Sequence, residues 1–106
     1  MHSPGVPTQW AFANTPVTLT SSAWDQLHRF TTAGGAITVN LPAAATMVGR
    51  KITFKLVTAG AAVTLDGNGA ETIDGGATNA TMDAANDTLT LQSDGSNWHI
   101  VAAMIA

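Results

Sequence analysis

The segment DTLTLQSDGSNWHIVA, residues 87–102, decides the fold class of this chain. Leu89 and Leu91 alternate with polar residues, which is the pattern of a strand with one buried face. Asp94 and Gly95 follow, and a tight hairpin turn favours such residues because its backbone takes positive φ. The next strand then directs alternate side chains to opposite faces, Trp98 and Ile100 to one and His99 and Val101 to the other. The segment predicts an antiparallel β-hairpin packed on a core.

The same short alternating runs recur about every ten residues along the rest of the chain. Further strands are predicted at residues 17–20, 27–32, 36–41, 51–57 and 62–66. A hairpin turn is expected around Gly60, and residues 42–49 form the single candidate for a helical turn. Since no segment between strands is long enough for a crossover helix, we predict an all-β fold with mainly antiparallel pairing. Its expected form is a jelly-roll-like β-sandwich or a small barrel.

The N-terminal segment differs from this pattern. Residues 1–16 hold three of the four prolines, with Trp10 and Phe12 between them. Proline excludes a regular helix and a central strand, so this segment is predicted to be an extended N-terminal arm. Residues 17–106 are predicted to form a single β-sandwich domain, because 106 residues support one core.

Composition excludes several classes of function. The net charge is −3 with only four Lys and Arg, so the basic stripe of a nucleic-acid-binding protein is absent. The chain contains no cysteine, and no apolar run reaches the length that spans a bilayer. Only 10% of the residues are charged, which indicates a surface of small polar residues or one covered in an assembly. The apolar segment 100–106 is a candidate for self-association.

Side chains that could carry chemistry are few. Glu71 and Asp74 are the closest approach to a pair of acidic catalytic residues, and with Asp66 and Asn68 they could offer oxygen atoms to a cation. All four lie in glycine-rich segments where turn formation explains them. The histidines at positions 2, 28 and 99 are isolated in the sequence. We therefore predict no enzyme activity, no catalytic residue, no cofactor and no metal site.

Three aromatic residues are the predicted partner-binding residues: Trp10, Phe12 and Trp24. Large aromatic side chains contribute strongly to binding energy at protein interfaces, so these residues are expected to anchor contacts with neighbouring subunits. Exposed tryptophan can also stack on a sugar ring, so carbohydrate binding is the alternative.

Residues 36–102 resemble a β-rich module of tailed-bacteriophage virion proteins that occurs in head decoration proteins, tail fibres and spikes. The resemblance rests on short segments at 41–42, 49–50, 52–55, 63–66, 71–75, 89–91 and 93–101. It implies a structural virion protein made in the host bacterial cytoplasm. The short chain favours a decoration or cement protein on the outer capsid surface, which binds and stabilises the shell of major capsid protein. It is expected to form a homodimer or homotrimer and to bind neither nucleic acid nor a membrane. The alternative is a tail fibre or spike adaptor, or a receptor-binding domain.

Overall fold

The computed structural model describes residues 8–21 and 26–105, which contain nine strands in two sheets. The five-stranded sheet has the order β1-β3-β5-β8-β9. Its strands are β1 (Thr8–Ala11), β3 (Leu27–Thr31), β5 (Lys51–Thr58), β8 (Thr88–Ser93) and β9 (Trp98–Met104). The four-stranded sheet has the order β2-β4-β6-β7. Its strands are β2 (Val17–Thr18), β4 (Ile37–Asn40), β6 (Val63–Asp66) and β7 (Thr78–Met82).

The all-β, sandwich-like character is confirmed, but the prediction of mainly antiparallel pairing is wrong. Four pairings are parallel, β1 with β3, β3 with β5, β2 with β4 and β4 with β6. Three are antiparallel, β5 with β8, β6 with β7 and β8 with β9. The reason is that β1 to β6 alternate between the two sheets, so a strand of one sheet provides the crossover for the other. An α-helix usually has that role between parallel strands. The jelly-roll connectivity is not confirmed, and the sheets do not close into a barrel.

Strands β1 to β6 thus wind through both sheets, and we call this part of the molecule, residues 8–21 and 26–66, the parallel coil. Trp10 pairs with Phe30 and Phe30 with Leu56 in the five-stranded sheet. In the four-stranded sheet the equivalent row runs from Val17 to Val39 and on to Leu65. Five of these six side chains are buried and Trp10 packs against them, so the two rows face each other across the core.

The core is continuous from the coil into the C-terminal strands. Buried side chains from β5, β8 and β9 join those of the coil; they include Ile52, Phe54, Leu89, Leu91 and Trp98. Because β5 pairs in parallel with β3 and antiparallel with β8, it joins the coil to the β8–β9 hairpin. The hairpin and its buried face are as predicted, except that a bulge places Val101 between the residues that pair with Thr90 and Leu91.

A buried threonine connects the corner between β3 and β4 with the corner between β5 and β6. The Thr32 hydroxyl donates to the carbonyl of Ala61 at 2.6 Å and accepts from the N–H groups of Gly60 and Ala61 at 3.1 Å each. A Cβ atom on Gly60 would lie 2.6 Å from the Thr32 carbonyl oxygen. The predicted hairpin at Gly60 is wrong, because β5 and β6 lie in different sheets. Gly60 is needed there for a close approach between corners.

The remaining predictions for local structure divide into confirmed and missed elements. A 3-10 turn at Ala44–Thr46 lies within the predicted helical turn at 42–49, and the predicted strands beyond residue 17 are all present. The missed strands are β1 and β7. Residues Thr8–Ala11 lie in the predicted arm, and they are extended, but they pair in register with His28–Thr31 as an edge strand. Residues 1–7 lie outside the described part of the chain.

Candidate functional site

Trp10, a predicted partner-binding residue, contributes to the fold. Its side chain is half-buried and packs against the core from β1. The indole Nε1–H donates to Nδ1 of His28 at 3.2 Å, and the two rings stack with their centroids 6.4 Å apart. His28 is itself buried and stacks on Phe54 at 6.1 Å. One face of the indole ring is therefore covered by the His28 ring of the same molecule.

Phe12 and Trp24, the other two predicted partner-binding residues, have different outcomes. Phe12 is 44% exposed, and its ring lies over a glycine turn. A Cβ atom on Gly34 or Gly35 would approach that ring to 3.3 or 2.8 Å, so the two glycines form its seat. Trp24 lies outside the described residues. A partner-binding role for all three residues stays a prediction.

The acidic side chains near β9 bind backbone N–H groups. Both carboxylate oxygens of Glu71 accept from the N–H of Ala44, at 2.9 and 3.1 Å. Asp74 Oδ1 accepts from the N–H of Ile100 at 3.0 Å. The two carboxylates thus accept hydrogen bonds from backbone N–H groups in different parts of the fold, which is the role expected of acidic residues in turns and caps.

The loop of residues 72–74 covers the first half of the outer edge of β9. The Trp98 N–H donates to the carbonyl of Thr72 at 2.8 Å, and the Asp74 N–H donates to the carbonyl of Trp98 at 3.0 Å. With the bond from Ile100 to Asp74, these contacts occupy the backbone from Trp98 to Ile100. We call this part the covered edge.

Asp94 organises the turn between β8 and β9. One of its carboxylate oxygens accepts from the N–H groups of Asn97 and Ser96, at 2.7 and 2.8 Å. The other lies 2.7 Å from Nε2 of His99. The bond from Asn97 first, then that with His99 and that from Ser96, lower the pKa of Asp94 from 3.8 to about 2. Hydrogen bonds to the ionised carboxylate are the cause of this shift.

His99 has a second carboxylate neighbour, but the geometry does not form a metal site. Asp74 lies 3.9 Å from Nδ1, whereas Asp94 contacts Nε2. Because these nitrogens point to opposite sides of the ring, the two carboxylates cannot share one cation with the imidazole. Within residues 8–21 and 26–105, no group of three potential ligands could hold a metal ion, and no pocket is found. Nor does any helix in those ranges have the length and apolarity needed to cross a membrane.

The second half of β9 and the residue after it are open, and we call residues 101–105 the open edge. Three exposed apolar side chains lie here, Val101 at 46%, Met104 at 69% and Ile105 at 42%. Between them, Ala102 and Ala103 are also exposed. In the described part of the chain, β8 is the only strand paired with this segment. The open edge therefore leaves backbone and apolar surface available together.

The outward face of the five-stranded sheet collects positive charge. Arg29 on β3 lies directly beside Lys55 on β5, and Lys51 projects from the same face of β5. A hydrogen bond of 3.0 Å joins the Thr53 and Thr90 hydroxyl groups beside them. The five strands as described carry no Asp or Glu. We call this surface the basic face; it holds three of the four Lys and Arg residues in the chain.

Sequence reasoning identified the open edge in outline, as the apolar segment 100–106, but it missed the basic face. Alternation alone places Arg29 and Lys55 on the outward faces of their strands. Only the parallel pairing of β3 with β5, which has no local sequence signal, brings them together. No protein-family model matches this chain, and a search of curated proteins finds no match.

Proposed function

We propose that this protein is a structural component of a tailed-bacteriophage particle, a decoration protein that binds the outer surface of the capsid and stabilises its shell of major capsid protein. The resemblance of residues 36–102 to virion modules supports the proposal. The resembling segments contain Glu71, Asp74 and Asp94, which cap turns, and Trp98, which fills the core. The resemblance therefore concerns residues that stabilise the fold, and the fold in turn positions the outer surfaces.

The pairing of Arg29 with Lys55 is the observation that favours an acidic protein surface as the partner. Like charges directly opposite each other on neighbouring strands are destabilising. An acidic surface placed over the basic face would relieve that repulsion and gain hydrogen bonds to both side chains. A rigid sheet presents these charges at fixed positions, which suits a repeated acidic surface such as a capsid made of many identical subunits. Many copies of a modest contact then stabilise the shell.

Location on the particle is the first test. A labelled antibody against the chain, viewed by electron microscopy on purified phage particles, is expected to decorate the head. Label confined to the tail would support the alternative function, a tail fibre or spike adaptor or a receptor-binding domain. Particles without the chain would overturn both.

The contact face is tested with charge variants added to heads that lack the protein. Lys55→Glu is expected to reduce the number of bound copies at least tenfold, since it replaces attraction by repulsion at the centre of the basic face. The matched control is Ala80→Glu with Asn68→Asp, which changes the net charge equally at two exposed positions outside this sheet. Equal loss in both proteins would indicate a net-charge effect and would contradict docking through the basic face.

A further inference from the structure

We propose that two copies of this chain pair through their open edges, as antiparallel strands about a two-fold axis at Ala103. In this arrangement Val101 of one copy lies opposite Ile105 of the other, and Ala102 lies opposite Met104. The two five-stranded sheets become one sheet of ten strands. This pairing does not depend on the proposed role in a virion.

The open edge lacks the features that prevent strand pairing. Exposed edge strands are normally protected by charged residues, proline or a covering loop. Residues 100–105 contain no charged residue and no proline. The other edges differ: β1 has four residues and reads TQWA, β2 has two residues, and β7 reads TNATM, with four polar or small residues. On the side away from β8, residues 101–105 thus combine backbone that no other described strand pairs with and apolar side chains, which favours addition of another strand.

The covered edge restricts how a strand can be added. The loop of residues 72–74 occupies the backbone from Trp98 to Ile100, so an incoming strand has only residues 101–105 to pair with. An antiparallel second copy meets this restriction because its own covered edge falls beyond Ile105 of the first copy. The two loops then lie at opposite ends of the new interface and do not collide.

The side chains of the open edge suit contact with themselves. Around a two-fold axis each patch meets an identical patch, so a charged residue at the axis would face its own like charge. Here Ala103 meets Ala103, and the remaining pairs are apolar. A two-fold axis between antiparallel strands is perpendicular to the sheet, so both basic faces lie on the same side of the ten-stranded sheet. If the proposed function holds, the dimer would dock on the capsid through both basic faces at once.

Cysteine cross-linking tests the register, and the natural chain has no cysteine to complicate it. Residues directly opposite in an antiparallel pair have Cβ atoms about 4.5–5.5 Å apart, and a small shift of the two strands brings them to the ~3.8 Å of a disulfide. Ala103→Cys is expected to form a covalent dimer under mild oxidation at low concentration. Ala45→Cys, at an exposed position in the 3-10 turn, should remain monomeric on a denaturing gel. Cross-linking at equal rates in both proteins would overturn the proposal.

Charge exchange tests whether residue 103 meets itself. Sedimentation of the natural protein is expected to show a dimer that dissociates on dilution. Ala103→Asp and Ala103→Lys should each weaken the dimer ~5-fold or more, because like charges then oppose each other across the axis. An equimolar mixture of the two variants should recover dimers, each containing one copy of each. Circular dichroism of both variants confirms that they fold. A natural protein that stays monomeric at high concentration, a trimer, or a mixture that fails to recover would overturn the pairing.

Discussion

The parallel coil and the β8–β9 hairpin build the same five-stranded sheet by opposite routes. In the coil, Trp10 meets Phe30 and Phe30 meets Leu56 only after the chain has crossed to the other sheet and back. In the hairpin, Ser93 meets Trp98 across a tight turn. Contacts between distant corners therefore hold the coil, whereas the hairpin depends on hydrogen bonds within its own turn. Variants in the shared core, in a corner and in the turn can separate these contributions.

The largest effect is expected where the two regions share a core. Phe54 is fully buried on β5, which pairs with β3 of the coil and with β8 of the hairpin. Phe54→Ala should lower the free energy of unfolding by about 3–5 kcal/mol through lost burial and the cavity left behind. Urea unfolding followed by tryptophan fluorescence and circular dichroism measures this loss. Val57→Ala, at a partly exposed position on the same strand, should cost less than about 1 kcal/mol. Two separate unfolding transitions would show that coil and hairpin do not share a core.

A corner variant tests the coil alone. Thr32→Val keeps the shape of the side chain but removes the hydroxyl that bonds Gly60 and Ala61. The unsatisfied buried groups should cost about 1–3 kcal/mol in the free energy of unfolding. Thr31→Val, at the last residue of β3 and on its outward side, is the control and should change the free energy of unfolding by less than about 0.5 kcal/mol. Equal effects from both substitutions would show that the Thr32 hydroxyl does not stabilise the coil.

A turn variant tests the hairpin. Gly95 has a φ of +95°, and a Cβ atom there would lie 3.2 Å from a methyl group of Val48. Gly95→Ala should therefore cost about 1–2 kcal/mol in urea unfolding, because side chains disfavour positive φ. Ser96→Ala, at the next position of the turn, provides the baseline. If Gly95→Ala matches that baseline, the turn does not constrain the hairpin.

The smallest expected effect concerns the pH dependence of the same turn. The pKa of Asp94 is lowered from 3.8 to about 2 in the folded protein, so its ionised form favours folding. That contribution is complete above about pH 4 and is lost as the pH falls toward 2. Asp94→Asn should flatten the decline of the thermal midpoint between these pH values. Ser96→Ala retains the carboxylate and should follow the natural profile. An unchanged slope in Asp94→Asn would assign the acid sensitivity to other groups.

The difference between coil and hairpin also explains what the sequence could predict. Alternation identifies the buried face of a strand, and Asp94 with Gly95 identifies a local turn, so the hairpin follows from the sequence. The same alternation fits a parallel or an antiparallel neighbour, so the pairing of β3 with β5 does not. Gly60 fits a hairpin as well as a corner in the sequence, because close approach and turn formation both select glycine. At residues 9–11 of β1, Trp10 is the one large inward-facing side chain, and prolines lie on both sides of the strand. A single such residue is too little to form an alternating strand pattern in the sequence.

Strands β2 to β5 of the parallel coil each belong to one sheet and also connect two strands of the other sheet, and this restricts where the chain can change length. β4 belongs to the four-stranded sheet and is also the link between β3 and β5 of the other sheet. A one-residue insertion or deletion inside β4 would reverse its inward and outward side chains and also displace the following strand. Corners tolerate such changes better, and they already differ: residues 41–50 connect β4 to β5, whereas only residues 59–62 connect β5 to β6. Insertions, including peptide tags for display, should therefore be accepted at the exposed positions 45–46 and rejected within the strands.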